Sequence, residues 1–542
     1  MLIFTLVVLS AAPLLTPVEK GAEKQITESQ LRAHVRFLAS DTLEGRGPAT
    51  PGDRLAQEYI ATQFESLGLT PGVADGGWYQ PFDLVGVDGA PDTLTFSAAG
   101  KPSLTLKRSD DFIAVSGHQA KESILDDAEL VFAGYGIVAP EYGWNDFKTS
   151  VKGKVIVVMN NDPERDPALF AGKTRLYYGR WGYKYEQAAR AGAVGCIIIH
   201  TTPSAGYPWQ VVQTSWAGEQ FDLPAGDEPT LQVKAWTTED AMRKLVALSG
   251  KSLDTLREAA ESKGFTPVPL GVKVKTRFAN AVVVKRTANV LGVLPGSDPT
   301  LKGEYVVVTA HHDHLGRKAG VKPGEDEIYN GAVDNASGVA ALLSVARALT
   351  SLPKAPKRSV LFAAVAAEEQ GLLGSAYFVS SAPVPVAKMI ANVNIDGVNI
   401  WGRTADLSVV GLGKSSIDAV ITQLAKAQGR TVKPDALADR GFFYRSDQFN
   451  FAKKGVPSAY FSSGHDFIGR PEGWGKQQRE LWEATRYHQP SDELTPEWDL
   501  SGAVEDVRLY YGLAVSLANT AEAPTWTKGD EFEAERLTSK QK

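Results

Sequence analysis

Residues 304–316 read EYVVVTAHHDHLG. The first half is an unbroken apolar run, the kind that fills a strand covered on both faces. The second half puts three histidines and an aspartate into four positions, although the whole chain has only 8 His. Imidazole and carboxylate crowded at a strand end is the donor chemistry of a metal site. If the chain stays extended past Ala310, alternate side chains share a direction, so His311 and Asp313 point together and His312 and His314 point away. A metal-bound imidazole needs an acceptor on its second ring nitrogen. This reading makes His311 the ligand, Asp313 its orienting carboxylate, and His312 and His314 rim or packing residues.

Working outward from this run, the pattern repeats. SVLFAAVAA, MIANVNI, LSVVGL and PSAYF are further short apolar runs, and between them lie SGVAALLSVARALTSL, GLLGSAYFVSS, SSIDAVITQLAKAQG and DQFNFAKKG, apolar at helical period. VEDVRLYYGLAVSLANT closes the set as a helix. Alternating strands and helices imply an α/β domain: a mostly parallel central sheet flanked by helices. Two earlier helices, in ITESQLRAHVRFLAS and GDRLAQEYIATQFESLGL, are expected to dock on it.

Ligands in such sheets bind beyond the carboxyl ends of the strands. SVLFAAVAA runs into Glu368 and Glu369, MIANVNI runs into Asp396, the loop before SGVAALLS holds Asp334, and RYHQPSDE holds His488. Each has a plainer reading by itself. Asp334, Asn335 and Ser337 could cap a helix, the two glutamates could be a solvated strand end, and His488 could be an ordinary loop histidine. Their convergence on one end of one sheet is hard to assign to solvation.

AHHDHLG, NGAVDNASGVAAL, AAEEQGLLGS, NIDGVN and YHQPSDE, in that order, resemble the M28 family of dizinc metallopeptidases. FLASDTLEGRGPATPGDRLAQEYIATQFESLGLTPG is similar to the family's N-terminal segment. The resemblance implies a zinc exopeptidase fold holding two Zn²⁺. His311 and Asp396 would bind one ion and Glu369 and His488 the other, with Asp334 shared between them. Glu368 would be the general base acting on a bridging hydroxide, Asp313 the partner of His311, and Asp492 a supporting carboxylate. The family often has a cis peptide after the shared aspartate, here Asp334–Asn335. Two zinc ions, three carboxylates and one hydroxide sum to zero charge, so the set is chemically consistent. Two departures stand out: Gly397 replaces a bulkier apolar residue, and His314 a small one.

Between about 111 and 272 the texture changes to short strand-like runs such as AELVFAGYGIV, KVIVVMNN and VGCIIIHTT. This reads as an inserted β-rich domain resembling a protease-associated (PA) domain. The expected organisation is then a signal peptide over residues 1–18, peptidase segments over 19–110 and 273–523 flanking the insert, and a charged, frayed tail over 524–542. The aromatic stretch RLYYGRWGYKYEQ could wall a peptide cleft or form the insert's own core. Cys196, the only cysteine, allows no intrachain disulfide and reads as a buried thiol.

A net charge of −6 gives no broad attraction for nucleic acid. The MLIFTLVVLSAAPLL leader is too short to span a bilayer and reads as an export signal, to the periplasm or outside the cell. The implied partner is a peptide substrate, and the implied activity is removal of N-terminal residues. A carboxypeptidase or an N-acyl amino-acid hydrolase on the same site, or a binding protein on this fold, are the alternatives. Tyr444 could stabilise an oxyanion and Arg445 could meet a substrate carboxylate. An aromatic packed under the loop and an Arg445–Asp447 pair are the structural alternatives.

Overall fold

The computed structural model describes residues 14–216, 218–318 and 320–541. Most of the expected leader lies outside them. Leu14 and Leu15 pack against the core, and a helix spans Pro17–Ala22. Thr16 and Glu19 form a capping box at its start, each side chain meeting the other's backbone N–H. The expected boundary after residue 18 therefore falls inside a helix.

The chain divides into two compact units. The first takes in the chain through Pro81, Thr287–Ala436 and the chain from Ser446 on, and the second Phe82–Arg286 with Leu437–Arg445. The second unit is wider than the expected 111–272 because Thr93–Ala98 pairs with Val268–Ala279 and Leu104–Lys107 pairs with Thr93–Ala98. Those two strands are short and partly polar, which hides them in the sequence.

In the first unit, among the described residues, strands lie in the order Ala281–Leu294 (its Thr287 end), Ser359–Val365, Tyr305–His311, Met389–Asn394, Ser458–Ser463, Asp406–Val410, Thr431–Pro434, with Thr70–Pro71 also pairing with the first of them. The central pairings, from Ser359–Val365 through Ser458–Ser463, are parallel, and the pairings flanking them are antiparallel. Alternation explains the unbroken apolar runs. Val306, Val308, Val360, Phe362 and Ala364 enter the core beneath Gly338–Thr350 and Ser501–Asn519. Val307, Leu361, Ala363 and Val365 enter the opposite core with Phe378 and Phe451. Both faces are covered, so polar alternation would leave unsatisfied groups on one of them. The helices Glu28–Leu38 and Pro51–Ser66 bury Leu31, Val35, Ile60 and Phe64 in the first of these cores.

The tail is not frayed. Trp526 is buried and donates its indole N–H to the Gly455 carbonyl at 2.9 Å. Phe532 is buried, and Arg536 on the last helix, Glu533–Gln541, donates to the Met389 carbonyl at 2.9 Å. The high charge of this stretch conceals one tryptophan, one phenylalanine and one buried arginine that anchor it.

The second unit has an eight-stranded sheet of its own, with parallel pairings at its centre and antiparallel ones toward both edges. Tyr183 lies in one of its cores with Tyr177 and Tyr178 packed against it, and Tyr185 lies in the other with Trp181. The aromatic stretch thus builds the unit's own interior. Cys196 is fully buried there, and burial pushes its thiol well above the ordinary range.

Candidate metal centre

The carboxyl ends of three adjacent parallel strands deliver the site in the first unit. Tyr305–His311 ends on His311, Ser359–Val365 precedes Glu368 and Glu369, and Met389–Asn394 precedes Asp396. Asp334 comes from the turn ahead of helix Gly338–Thr350, and His488 from the loop before Ser501–Asn519. The structure brings all five expected ligands together.

Asp334 is the hub. Its Oδ1 lies 3.3 Å from His311 Nε2, and its Oδ2 lies 3.3 Å from His488 Nε2. Around these two nitrogens stand Asp396 Oδ1, 3.4 Å from His311 Nε2, and Glu369 Oε2, 3.0 Å from His488 Nε2. Donor atoms sharing one tetrahedral zinc at ~2.0–2.1 Å sit roughly 3.3 Å apart. The spacings would suit a cation beside each of these two nitrogens, with one oxygen of Asp334 facing each. Glu368 sits beside this set, its Oε2 4.0 Å from His311 Nε2.

Electrostatics agree with the spacing. Burial disfavours a charged His311, yet Glu368, Asp334 and Asp396 outweigh it and hold the ring's pKa well above the ordinary value. Burial likewise opposes a charged His488, but Glu369 and Asp334 raise it to about 10. Glu368 is pushed well above the carboxylate range, first by burial and then by Glu369, Asp396 and Asp447, with His311 opposing. A pocket this rich in negative charge draws protons when no other cation is present.

Further residues hold these side chains in place. Asp313 accepts the backbone N–H of Glu368 at 3.0 Å and of Glu369 at 3.3 Å, one on each oxygen. Its carboxylate stands 3.8 Å from His311 Nδ1, whereas its own carbonyl is 3.3 Å away. The expected carboxylate-to-histidine bond is thus replaced by a carbonyl contact, and the carboxylate instead positions the glutamate pair. Asp492 accepts from Val333 N and Asp334 N, and burial raises it to about 6. The Asp334–Asn335 peptide is cis. Asn335 Oδ1 accepts Gly338 N and Gly397 N. Gly397 has φ +78°, in the left-handed region where a bulkier residue is strained.

His314 departs from expectation. The strand ends at His311, so the alternation rule lapses there, and His314 turns inward with Nδ1 2.6 Å from Glu369 Oε1. His312 is a packing residue, its Nε2 3.0 Å from Asp53 Oδ1. Sequence reasoning does not anticipate Asp53 or Arg46. Arg46 is buried and donates to the carbonyls of Leu38, His312, Asn330 and Gly331. The only signal for either is its place in the family-like segment LEGRGPATPGDRLA. Tyr444 and Arg445 fall in the Leu437–Arg445 segment of the second unit, where Tyr444 lies 6.2 Å from the Tyr177 ring and Arg445 lies over Phe442.

Residues 289–512 match the model of "Peptidase family M28". Over 513 residues, 91% of this chain and 88% of the relative, the chain is 26% identical to Aminopeptidase YwaD of Bacillus subtilis (strain 168). It is 34% identical to Aminopeptidase NAALADL1 of Rattus norvegicus over 245 residues, 36% of this chain but only 31% of that protein. The fold is similar to the solved aminopeptidase from Aneurinibacillus sp. strain AM-1, with a TM-score of 0.52 and 20% identity, covering 94% of this chain and 97% of that one.

Proposed function

We propose that this chain, whose residues 289–512 match peptidase family M28, works as a zinc aminopeptidase of that type and releases N-terminal residues from peptides at a two-ion centre. The observation that carries the reading is Asp334 offering one oxygen toward each of His311 and His488, both at 3.3 Å. His311 and Asp396 would hold one ion, Glu369 and His488 the other, and Asp334 both.

When bound, a pair of zinc ions activates water at neutral pH and polarises a carbonyl. The chain supplies the rest. Glu368 takes a proton from the attacking water on its carboxylate and passes it to the departing amine. It can do so because it neighbours Glu369 without sharing its direction: Glu369 meets His488, while Glu368 lies nearer His311. Asp313 keeps the two glutamates diverging by holding both their backbone N–H groups. Asp492 fixes the backbone that presents Asp334. Export to the periplasm or cell exterior belongs to the same proposal.

The test is one peptide supplied free at both ends, N-acetylated and C-amidated, with products followed by mass spectrometry and Glu368→Ala as control. Loss of N-terminal residues blocked only by acetylation is expected. Trimming blocked by amidation would move the assignment to a carboxypeptidase and make Arg445 the first residue to mutate. Cleavage of none of the three by zinc-loaded protein would remove the peptidase reading.

A further inference from the structure

We propose that His314 is a positioning residue for the Glu369 carboxylate, donating its Nδ1–H to Oε1 so that Oε2 is turned toward His488 and Asp334. The inference rests on the two-ion reading and adds a residue to it.

Three observations carry it. First, His314 Nδ1 and Glu369 Oε1 are 2.6 Å apart. Two donors sharing one zinc at ~2.05 Å would need an angle of about 80° at the ion to come so close. The His311 and His488 contacts lie at 3.0–3.4 Å, the spacing of shared coordination. The His314 contact is therefore a charge-assisted hydrogen bond. Second, Glu369 divides its oxygens, Oε1 to His314 and Oε2 to His488. Third, the His314 ring is fully buried and its Nε2 has no hydrogen-bond partner. With the hydrogen on Nδ1, that Nε2 is a bare acceptor, so the donor of the ring is the one that is satisfied.

The ring cannot easily turn away. A Cβ at Gly331, whose φ is +55°, would lie 2.6 Å from His314 Cγ and Cδ2, so the ring rests against a backbone stripped of side chain. The His488 ring stands 5.7 Å away at 74°, closing the other side. Two adjacent residues thus fix Glu369 between them, Asp313 through its backbone N–H and His314 through its side chain.

The experiment compares wild type, His314→Ala and His314→Asn, the last keeping an N–H near the place of Nδ1–H. Zinc release is followed by chelator competition, with kcat and KM measured at saturating zinc. In wild type two ions are expected. In His314→Ala one ion should bind about 10–100-fold more weakly while the other is unchanged, and His314→Asn should recover most of the loss. Two ions held by His314→Ala as tightly as by wild type would overturn the proposal, as would His314→Asn behaving like His314→Ala, since packing rather than the N–H would then matter. Wild type binding no zinc would instead remove the two-ion reading itself.

Discussion

Asp492 accepts the backbone N–H of Asp334 at 3.1 Å, so the carboxylate that presents Asp334 belongs to the same loop as His488. Asp492→Ala should leave two neighbouring backbone donors unmatched and loosen Asp334 toward both ions. The expected result is a loss of about 10–100-fold in zinc affinity, measured by chelator competition, with Asp492→Asn losing less because one acceptor oxygen remains. Unchanged affinity in Asp492→Ala would show that Asp334 is held by other means.

Arg46 spends its guanidinium on four backbone carbonyls, those of Leu38, His312, Asn330 and Gly331. Burial lowers its pKa to about 10, against the pull of Asp313 and Asp334, so it stays charged at neutral pH. Arg46→Met should cost about 3–5 kcal/mol by stranding those acceptors. Arg46→Lys should rescue only part, since one ammonium lacks the reach of the planar fork. Denaturant midpoints measure this; a cost below about 1 kcal/mol for Arg46→Met would contradict the bracing role.

His34 gives a pH dependence of known sign. Burial, then Arg347, hold its folded pKa down at about 4, and its Nδ1 meets Tyr59 Oη at 2.8 Å. The folded state favours the neutral ring, so this contribution is complete above the unfolded value of about 6.5 and is lost as pH falls from there toward 4. Over that window wild-type stability should fall more steeply than that of His34→Gln, by at most about 1.4 kcal/mol per pH unit. Parallel stability curves for the two proteins would contradict the assignment.

The C-terminal segment should contribute to folding. Trp526 is buried with its N–H satisfied by Gly455. Trp526→Ala is expected to cost about 3–5 kcal/mol, and ending the chain after Ala523 should cost at least as much. Thermal melting distinguishes this from a free tail, for which neither change would move the midpoint.

What can be read in the sequence is whatever obeys a period. Apolar runs covered on both faces mark the central strands, and each run stops where an imidazole or carboxylate begins, so His311, Glu368, Glu369 and Asp396 stand out. Period arguments end with the strand: alternation assigns His314 outward, yet the chain turns after His311 and brings it onto Glu369. Asp313 is given the wrong donor because a side-chain acceptor is visible in sequence while a backbone carbonyl is not. Arg46 and Asp53 act across more than 200 positions on His312, a distance that no local pattern records. Average charge misjudges the tail, where three buried side chains outweigh it.

The proposed centre is a pair of ions joined through Asp334. Anomalous diffraction at the zinc edge from crystals of the zinc-loaded Glu368→Ala protein tests it most directly. The expected result is two peaks about 3.5–4 Å apart, one beside His311 and Asp396, the other beside Glu369 and His488, with one oxygen of Asp334 at each. A single peak, or a second peak bound by His314 Nδ1 in place of His488 Nε2, would contradict it.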